Sequence, residues 1–314
     1  MKKKITILIP AYNEEPVLPA LKERLADLAK VLTNYNLEFL FVDDGSTDNT
    51  LKYIKAWAKQ DDRVSYVGLT RNFGKEEGML AGFDHIHSDA TVIIDADLQD
   101  PPELIPDMVK IWEDGYDDVY ARRRSRDGET WMKKKTAEWY YGILQRTTRI
   151  PIQRDTGDFR LLDKRCIKAL TQLREAERNT KALFSWIGYK KKEILYDRDP
   201  RLAGSTKLNY GRLFKLAFDG ITSFTTAPLR IATIFGVIFS GVAFVYLIVI
   251  LVRAVMGVAG VAGYSSTMAV VLFLGGIQLL SLGIIGEYVG RIFKETKNRP
   301  VYLIDEYHDG YAKK

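Results

Sequence analysis

Thr91–Pro102 reads TVIIDADLQDPP, and its carboxylates Asp95 and Asp97 are the residues of this 314-residue chain best placed to do chemistry. The β-branched run Val92, Ile93, Ile94 predicts a buried strand that ends on them. On extended backbone alternate side chains share a face, so Asp95 and Asp97 point the same way, with the Gln99 carbonyl next if the extension holds. Hard oxygen donors at the carboxyl end of a buried strand suit Mg²⁺ or Mn²⁺, and phosphate oxygens commonly complete such a shell. The string also fits a plain strand closed by a polar, Pro-rich turn, because an Asp-X-Asp pair alone is common.

The elements that must position these residues alternate along the first hundred positions. Ile5–Ile9, Leu37–Val42, Val64–Leu69 and Thr91–Ile94 predict strands. Leu18–Leu32, with leucines three and four apart, predicts a helix, as do Thr47–Lys59 and Lys75–His85. Strand–helix alternation implies an α/β architecture with a mainly parallel sheet, and such sheets bind ligands beyond the carboxyl ends of their strands. Polar motifs stand at three of those ends: Pro10–Glu15, Asp43–Asp48 and Asp95–Asp100. Together they predict a nucleotide site. His85 and His87 are better read as solvated or structural residues than as metal ligands.

The chain then changes character. Ile231–Val252 carries no charge and as a helix reaches about 33 Å, enough to cross a bilayer core of about 30 Å. A second span covers about 265–286, where Met268–Ile285 has Gln278 as its one strongly polar side chain. The short, Gly-rich connector makes the pair a hairpin. Lys207, Arg212, Lys215 and Arg230 precede it and Arg291, Lys294, Lys297 and Arg299 follow it, while the connector holds only Arg253. The positive-inside rule thus places both termini in the cytoplasm, with the chain a multi-pass protein of the cell (inner) membrane. Lys207–Thr226 has apolar residues at helical spacing and reads as an interfacial helix, or as an amphipathic helix packed on the preceding domain. The expected divisions are a domain over 1–206, an amphipathic helix over 207–229, the hairpin over 230–286, and a juxtamembrane helix with a polar tail over 287–314. The opening MKKKITILIPAY reads as a first strand rather than a secretory signal. The single cysteine, Cys166, excludes an intrachain disulfide. The net charge of +6 comes without a nucleic-acid motif, so anionic lipid and a phosphate-rich substrate account for it.

PAYNEE, VDDGSTD, RNFGKEEGMLAGF, DADLQDPP and TGDFRL occur in this order. With them the chain resembles the family-2 glycosyltransferases of GT-A fold, a Rossmann-like catalytic domain. Within these it is most similar to the polyisoprenyl-phosphate branch, the dolichol-phosphate mannose synthase-like and bactoprenol glucosyltransferases, and the likeness extends through the hairpin. The resemblance implies that Pro10, Tyr12 and Glu14 line the nucleotide pocket and that Asp44 bonds the base. It implies that Arg71 and Lys75 lie near the base or diphosphate. Asp95, Asp97 and Gln99 would hold a Mg²⁺ or Mn²⁺ ion on the donor's diphosphate. Asp158 falls where relatives place a catalytic carboxylate, as base, acceptor-orienting group or sugar-binding group. Arg198, Arg201, Ser205 and Lys207 match the family's basic loop, for acceptor or donor phosphates. The structural alternatives stay open: Asp43 or Asp44 as a helix cap, Arg71 paired with a surface acid, and Asp158 as a turn former.

Breaking a sugar–diphosphate bond puts charge on the leaving group, so a divalent ion and arginines stabilise that step. Arg122, just after strand-like Asp118–Ala121, is a candidate, with a solvated or membrane-facing Arg122–Arg124 patch as the other reading. A lipid phosphate, with a second pKa of about 6, is ionised at neutral pH and needs little or no general base. The expected activity is inverting transfer of a hexose, glucose from UDP-glucose first, onto a polyprenyl phosphate such as undecaprenyl phosphate. GDP-mannose, UDP-N-acetylglucosamine and an aminoarabinose donor fit the same motifs. A processive polysaccharide synthase is a rival, but its Gln-X-X-Arg-Trp motif is not found and two spans are few for a polymer channel. A catalytically inactive membrane scaffold is the other, against which the intact acidic motifs argue. Gly275, Gly276, Gly283 and Gly286 would let copies of the hairpin pack as a homo-oligomer.

Overall fold

The computed structural model describes residues 2–124, 156–197, 226–256 and 263–310. Its first compact unit holds an eight-stranded sheet in the order β7-β5-β6-β4-β1-β2-β3-β8. The strands are β1 (Lys4–Ala11), β2 (Asn36–Asp43), β3 (Val64–Leu69), β4 (Ala90–Ile93), β5 (Asp118–Arg123), β6 (Thr156–Asp163), β7 (Lys191–Tyr196) and β8 (Ile304–His308). Helices α1 (Leu18–Val31), α2 (Thr50–Ala58), α3 (Lys75–Asp84), α4 (Ile105–Glu113), α5 (Lys164–Gln172) and α6 (Thr180–Trp186) join or flank them. β1 runs parallel to β2 and β4, β2 to β3, and β5 to β7. β6 is antiparallel to β4 and β5.

The central strands are near-continuous apolar runs because both faces of the sheet are covered. Ile5, Ile7 and Ile9 alternate onto one face, where they join Leu18, Leu21, Leu25 and Leu28 of α1 in the main core. Leu8, pointing the other way, reaches Gly82 of α3. The one buried acid at the lower end of the central strands is satisfied in full. Glu38 accepts from Thr6 Oγ1 at 2.8 Å, Ser65 Oγ at 3.0 Å and Lys4 Nζ at 3.0 Å.

Residues after Arg299 are not a polar tail. β8 pairs antiparallel with β3, placing His308 against the Tyr66 ring, and Gly310 N donates to Ser65 Oγ at 3.2 Å. Tyr302 Oη donates to Asp84 Oδ2 at 2.5 Å, beside a two-pronged Arg174–Asp84 pair. Arg299–Lys314 accordingly belongs with the sheet, and Asn209–Asn298 forms a second unit.

The described part of that second unit is a helical hairpin of α7 (Ala227–Val255) and α8 (Tyr264–Thr296). The 29 and 33 residues correspond to about 44 Å and 50 Å of helix, longer than a bilayer core. Pro228–Ile250 and Phe273–Thr296 are long and apolar enough to cross a membrane, and neither is buried. Phe239 meets Phe273 edge-on at 5.2 Å between the helices. α8 continues without a break through Glu287–Thr296, where the sequence pattern predicts a separate juxtamembrane helix; an Arg291–Glu287 pair one turn apart supports that continuation. The expected interfacial helix at 207–226 lies, but for Thr226, outside the described residues.

Candidate active site

Chain order reverses between β1 and β4: the chain steps outward from β1 to β3, then returns to β1's other side as β4. A crevice opens at such a point beyond the strands' carboxyl ends. Because β6 is antiparallel, its amino end, with Asp158, comes to the same edge. That edge therefore collects Pro10 at the end of β1 with Tyr12 and Glu14 after it, Asp44 after β2, Arg71 after β3, Asp95 and Asp97 after β4, and Arg122 near the end of β5.

Two loops are zipped together there. Asn13, held at φ 56°, accepts from Thr47 N at 2.8 Å, and its own N–H donates to Ser46 Oγ at 3.0 Å. Glu14 N donates to Thr50 Oγ1 and Asn49 to the Glu15 carboxylate. Tyr12 keeps an exposed ring beside this seam. Gly45 has φ +66° and lies so close to the Arg71–Asn72 backbone that a Cβ would sit 2.3 Å from the Arg71 carbonyl carbon. Asp44 is buried and accepts from Phe73 N at 2.7 Å and Gly74 N at 2.9 Å. In this structure both its oxygens therefore shape the approach to α3. Arg71 is exposed and lies over the Phe73 ring at 4.1 Å.

The first residue of α3 makes the central contact of the site. Lys75 Nζ lies 2.6 Å from Asp95 Oδ1 and 2.6 Å from Asp158 Oδ2. Burial works against the ammonium, but the two carboxylates more than compensate and raise its pKa. Burial would likewise push Asp158 up; the charges of Lys75 and Lys181, with the Lys75 hydrogen bond and Arg160, hold it below the usual carboxylate range instead. Asp158 is 7% exposed, and its Oδ1 has no hydrogen-bond partner among the described residues.

Behind this contact lie residues to which sequence reasoning assigned no role. Glu76 Oε2 accepts from Thr180 N at 2.7 Å, docking the start of α6 on α3. Arg160, two residues beyond Asp158 on the same face of β6, pairs with Asp118 at 3.1 Å and lies 3.8 Å over the Phe184 ring. The strand period in TGDFRL could have flagged Arg160. Asp100 accepts from Tyr196 Oη at 2.9 Å; burial first, then Asp100's charge, pushes the phenol up to about 12.

The acidic motif differs from its sequence expectation in shape. β4 ends at Ile93, Ala96–Asp97 turn, and Leu98 is left-handed at φ 60°. The extension that would align Asp95, Asp97 and the Gln99 carbonyl does not continue; instead Gln99 N donates to Asp97 Oδ1 at 3.1 Å. Pro101 and Pro102, which lack backbone N–H donors, follow this turn. Among the described residues no three Asp, Glu, His or Cys side chains converge to hold an ion alone. Two partly exposed carboxylates remain, a donor set that fits a hard divalent ion completed by ligand oxygens.

Arg122 is half-exposed and pairs with Glu193 of β7 at 3.3 Å. Arg198, Arg201, Ser205 and Lys207 lie outside the described residues.

Comparison with known proteins gives this geometry its family. Residues 6–171, more than half the chain, match the glycosyl transferase family 2 model, and residues 227–292 match the GtrB C-terminal hairpin. An uncharacterized glycosyltransferase of Synechocystis is 45% identical, covering 98% of this chain and 96% of its own. The SfII prophage-derived bactoprenol glucosyl transferase of Shigella flexneri is 39% identical over 98% and 99%. The prophage bactoprenol glucosyl transferase homolog of Escherichia coli is 40% identical over 96% and 98%. Among solved structures, a Pyrobaculum calidifontis mannosyltransferase aligns at 19% identity and TM-score 0.46, over 69% of this chain and 61% of that one, too distant to carry a functional inference. From its acidic strand ends to its apolar hairpin, the chain belongs to glycosyl transferase family 2, as a GT-A transferase with a GtrB C-terminal hairpin.

Proposed function

We propose that the protein transfers a hexose, glucose from UDP-glucose, onto undecaprenyl phosphate at the cytoplasmic face of the membrane, with inversion. The observation that carries this reading is the end-to-end match, hairpin included, to relatives named bactoprenol glucosyl transferase. The orientation draws support from β8: the chain enters the hairpin from the sheet unit and returns to the same sheet after it. That return supports a hairpin with both ends on one side, and the basic flanks support the cytoplasm as that side.

In the proposed reaction a phosphate oxygen of the lipid attacks the anomeric carbon opposite the diphosphate. The bond from that carbon to the diphosphate oxygen breaks, and its electron pair leaves with UDP. The attacking phosphate is largely ionised above its second pKa of about 6, so no proton need be removed. That frees Asp158 from acting as a base. Held ionised by Lys75, it offers Oδ1 to a hydroxyl of the sugar and orients the anomeric carbon. Tyr12 and Arg71 supply exposed planar groups for the base, with Pro10, Glu14 and Asp44 forming the pocket wall. Asp95 and Asp97, with Gln99, would hold Mg²⁺ or Mn²⁺, which when bound supplies positive charge against the leaving diphosphate. Arg122 adds to that charge on release from Glu193, and Arg198, Arg201, Ser205 and Lys207 receive the lipid phosphate.

The test is a donor screen with purified full-length protein, undecaprenyl phosphate and Mn²⁺, reading radiolabel in the lipid phase. UDP-glucose should exceed UDP-N-acetylglucosamine, GDP-mannose and aminoarabinose donors. Label from another donor alone would replace the glucose assignment, and label from none would defeat the reading.

A further inference from the structure

Lys75 bridges two carboxylates, one of them the Asp95 expected to hold the divalent ion. Its ammonium is 2.6 Å from both Asp95 Oδ1 and Asp158 Oδ2, so those two oxygens lie within about 5 Å of each other. Asp158 is buried, and its other oxygen has no hydrogen-bond partner among the described residues. Asp97, two residues from Asp95, is partly exposed, and among the described residues it does not converge with Asp95 and Asp158 into a three-carboxylate site. The lysine itself starts α3 and is partly open to solvent, which lets its long stem swing while the helix stays fixed.

We propose that Lys75 is a tethered counter-cation that makes divalent-ion binding conditional on the nucleoside diphosphate, a deepening that rests on the donor-site reading above. An ion on Asp95 must displace the ammonium from Oδ1. The displaced ammonium stays held by Asp158 and therefore remains close to the ion, where the two cations repel. A diphosphate brings negative charge next to both and removes that repulsion. Ion and diphosphate thus bind with positive coupling, and Lys75 transmits it. The site avoids holding a bare ion, and the carboxylates avoid facing each other uncompensated when no donor is present.

A purely structural role for Lys75 predicts the opposite sign, which makes the test sharp. Removing a brace loosens the site and weakens ion binding, whereas removing a competing cation tightens it. The experiment measures Mn²⁺ affinity of the full-length protein in detergent, by electron paramagnetic resonance of free Mn²⁺, with and without UDP. In the unaltered protein UDP should tighten Mn²⁺ by about tenfold or more. Lys75→Met should bind Mn²⁺ alone about fivefold tighter than the unaltered protein, with most of the UDP enhancement gone. Lys75→Arg should restore the original pattern. Should Lys75→Met fail to fold, Lys75→Gln decides by the same readout, because it also removes the ammonium and should tighten Mn²⁺ binding without UDP. Equal or weaker Mn²⁺ binding by Lys75→Met, or by Lys75→Gln in its place, overturns the proposal while leaving the donor reading intact. No Mn²⁺ binding with either UDP or GDP overturns both.

Discussion

Asp118 and Arg160 form the most deeply buried ion pair of the sheet unit's described residues, with side chains 0% and 1% exposed and 3.1 Å between them. Removing one partner of such a pair costs about 3–5 kcal/mol, because the other is left charged and uncompensated. The two single substitutions are not equivalent here. Arg160→Met leaves Asp118 with Lys191 Nζ at 3.7 Å, which keeps part of the compensation. Asp118→Asn removes the carboxylate shared by two cations at once. Arg160 is left with the Phe184 and Tyr120 rings, the Gly157 carbonyl at 3.5 Å and the charge of Asp158, and Lys191 with the Phe184 carbonyl. The expected costs are therefore about 3 kcal/mol for Arg160→Met and about 5 kcal/mol for Asp118→Asn. With about 2–4 °C lost per kcal/mol in a unit of this size, Tm falls by about 6–12 °C and 10–20 °C respectively. The double variant should cost less than the two added together, with a coupling of about 1–3 kcal/mol. Tryptophan fluorescence melts in detergent read this out, since Trp57 and Trp112 lie in the sheet unit's core. Single variants within about 0.5 kcal/mol of the unaltered protein, or strict additivity, would refute the reasoning.

Asp97→Ala should lower transfer by about 10²–10³-fold and abolish its dependence on Mn²⁺, measured as label in lipid; full metal-dependent transfer would remove Asp97 from the site. Gly45→Ala should cost about 1–3 kcal/mol and raise KM for the donor, because φ +66° and the Arg71 backbone leave no room for a Cβ. Asp158, with its folded pKa lowered, contributes stability that is complete above the unfolded carboxyl value of about 4 and fades as pH falls through the folded one. Between about pH 5 and 8 it should therefore titrate nothing: the acid limb of the rate should follow the lipid phosphate near pH 6 and persist in Asp158→Asn. Disappearance of that limb in the variant would make Asp158 a titrating base. Gly310→Ala would place a Cβ 2.4 Å from Asp62 O, so hydrogen exchange over β8 should accelerate while β1 stays protected.

What could be read from the sequence is what depends on local pattern. Leu18, Leu21, Leu25 and Leu28 announce the buried face of α1, and the runs at Ile5–Ile9, Leu37–Val42 and Val64–Leu69 announce strands covered on both faces. The helix predicted from Thr47 begins at Thr50 as α2, where Asp48 accepts from Thr50 N. What escaped the sequence depends on partners distant along the chain. Lys75 and Asp158 meet across 83 positions, so nothing in RNFGKEEG signals that its lysine sits between two carboxylates. β8 is five residues on a sheet edge, and its pairing with β3 has no local signature. Arg160 was hidden by its chemistry, since a charged side chain in a strand is expected at the surface until its buried partner is known. The shape of the acidic motif turned on one residue, Leu98, whose left-handed conformation is rare for a branched side chain.

The most direct test of the central claim follows product and leaving group together in one reaction. Purified protein, UDP-glucose, undecaprenyl phosphate and Mn²⁺ should release UDP in step with a glucosyl lipid, one for one, and NMR of that lipid should show a β-linked sugar phosphate. UDP release without lipid-linked sugar, or an α-linked product, would contradict the account of direct displacement by a lipid phosphate.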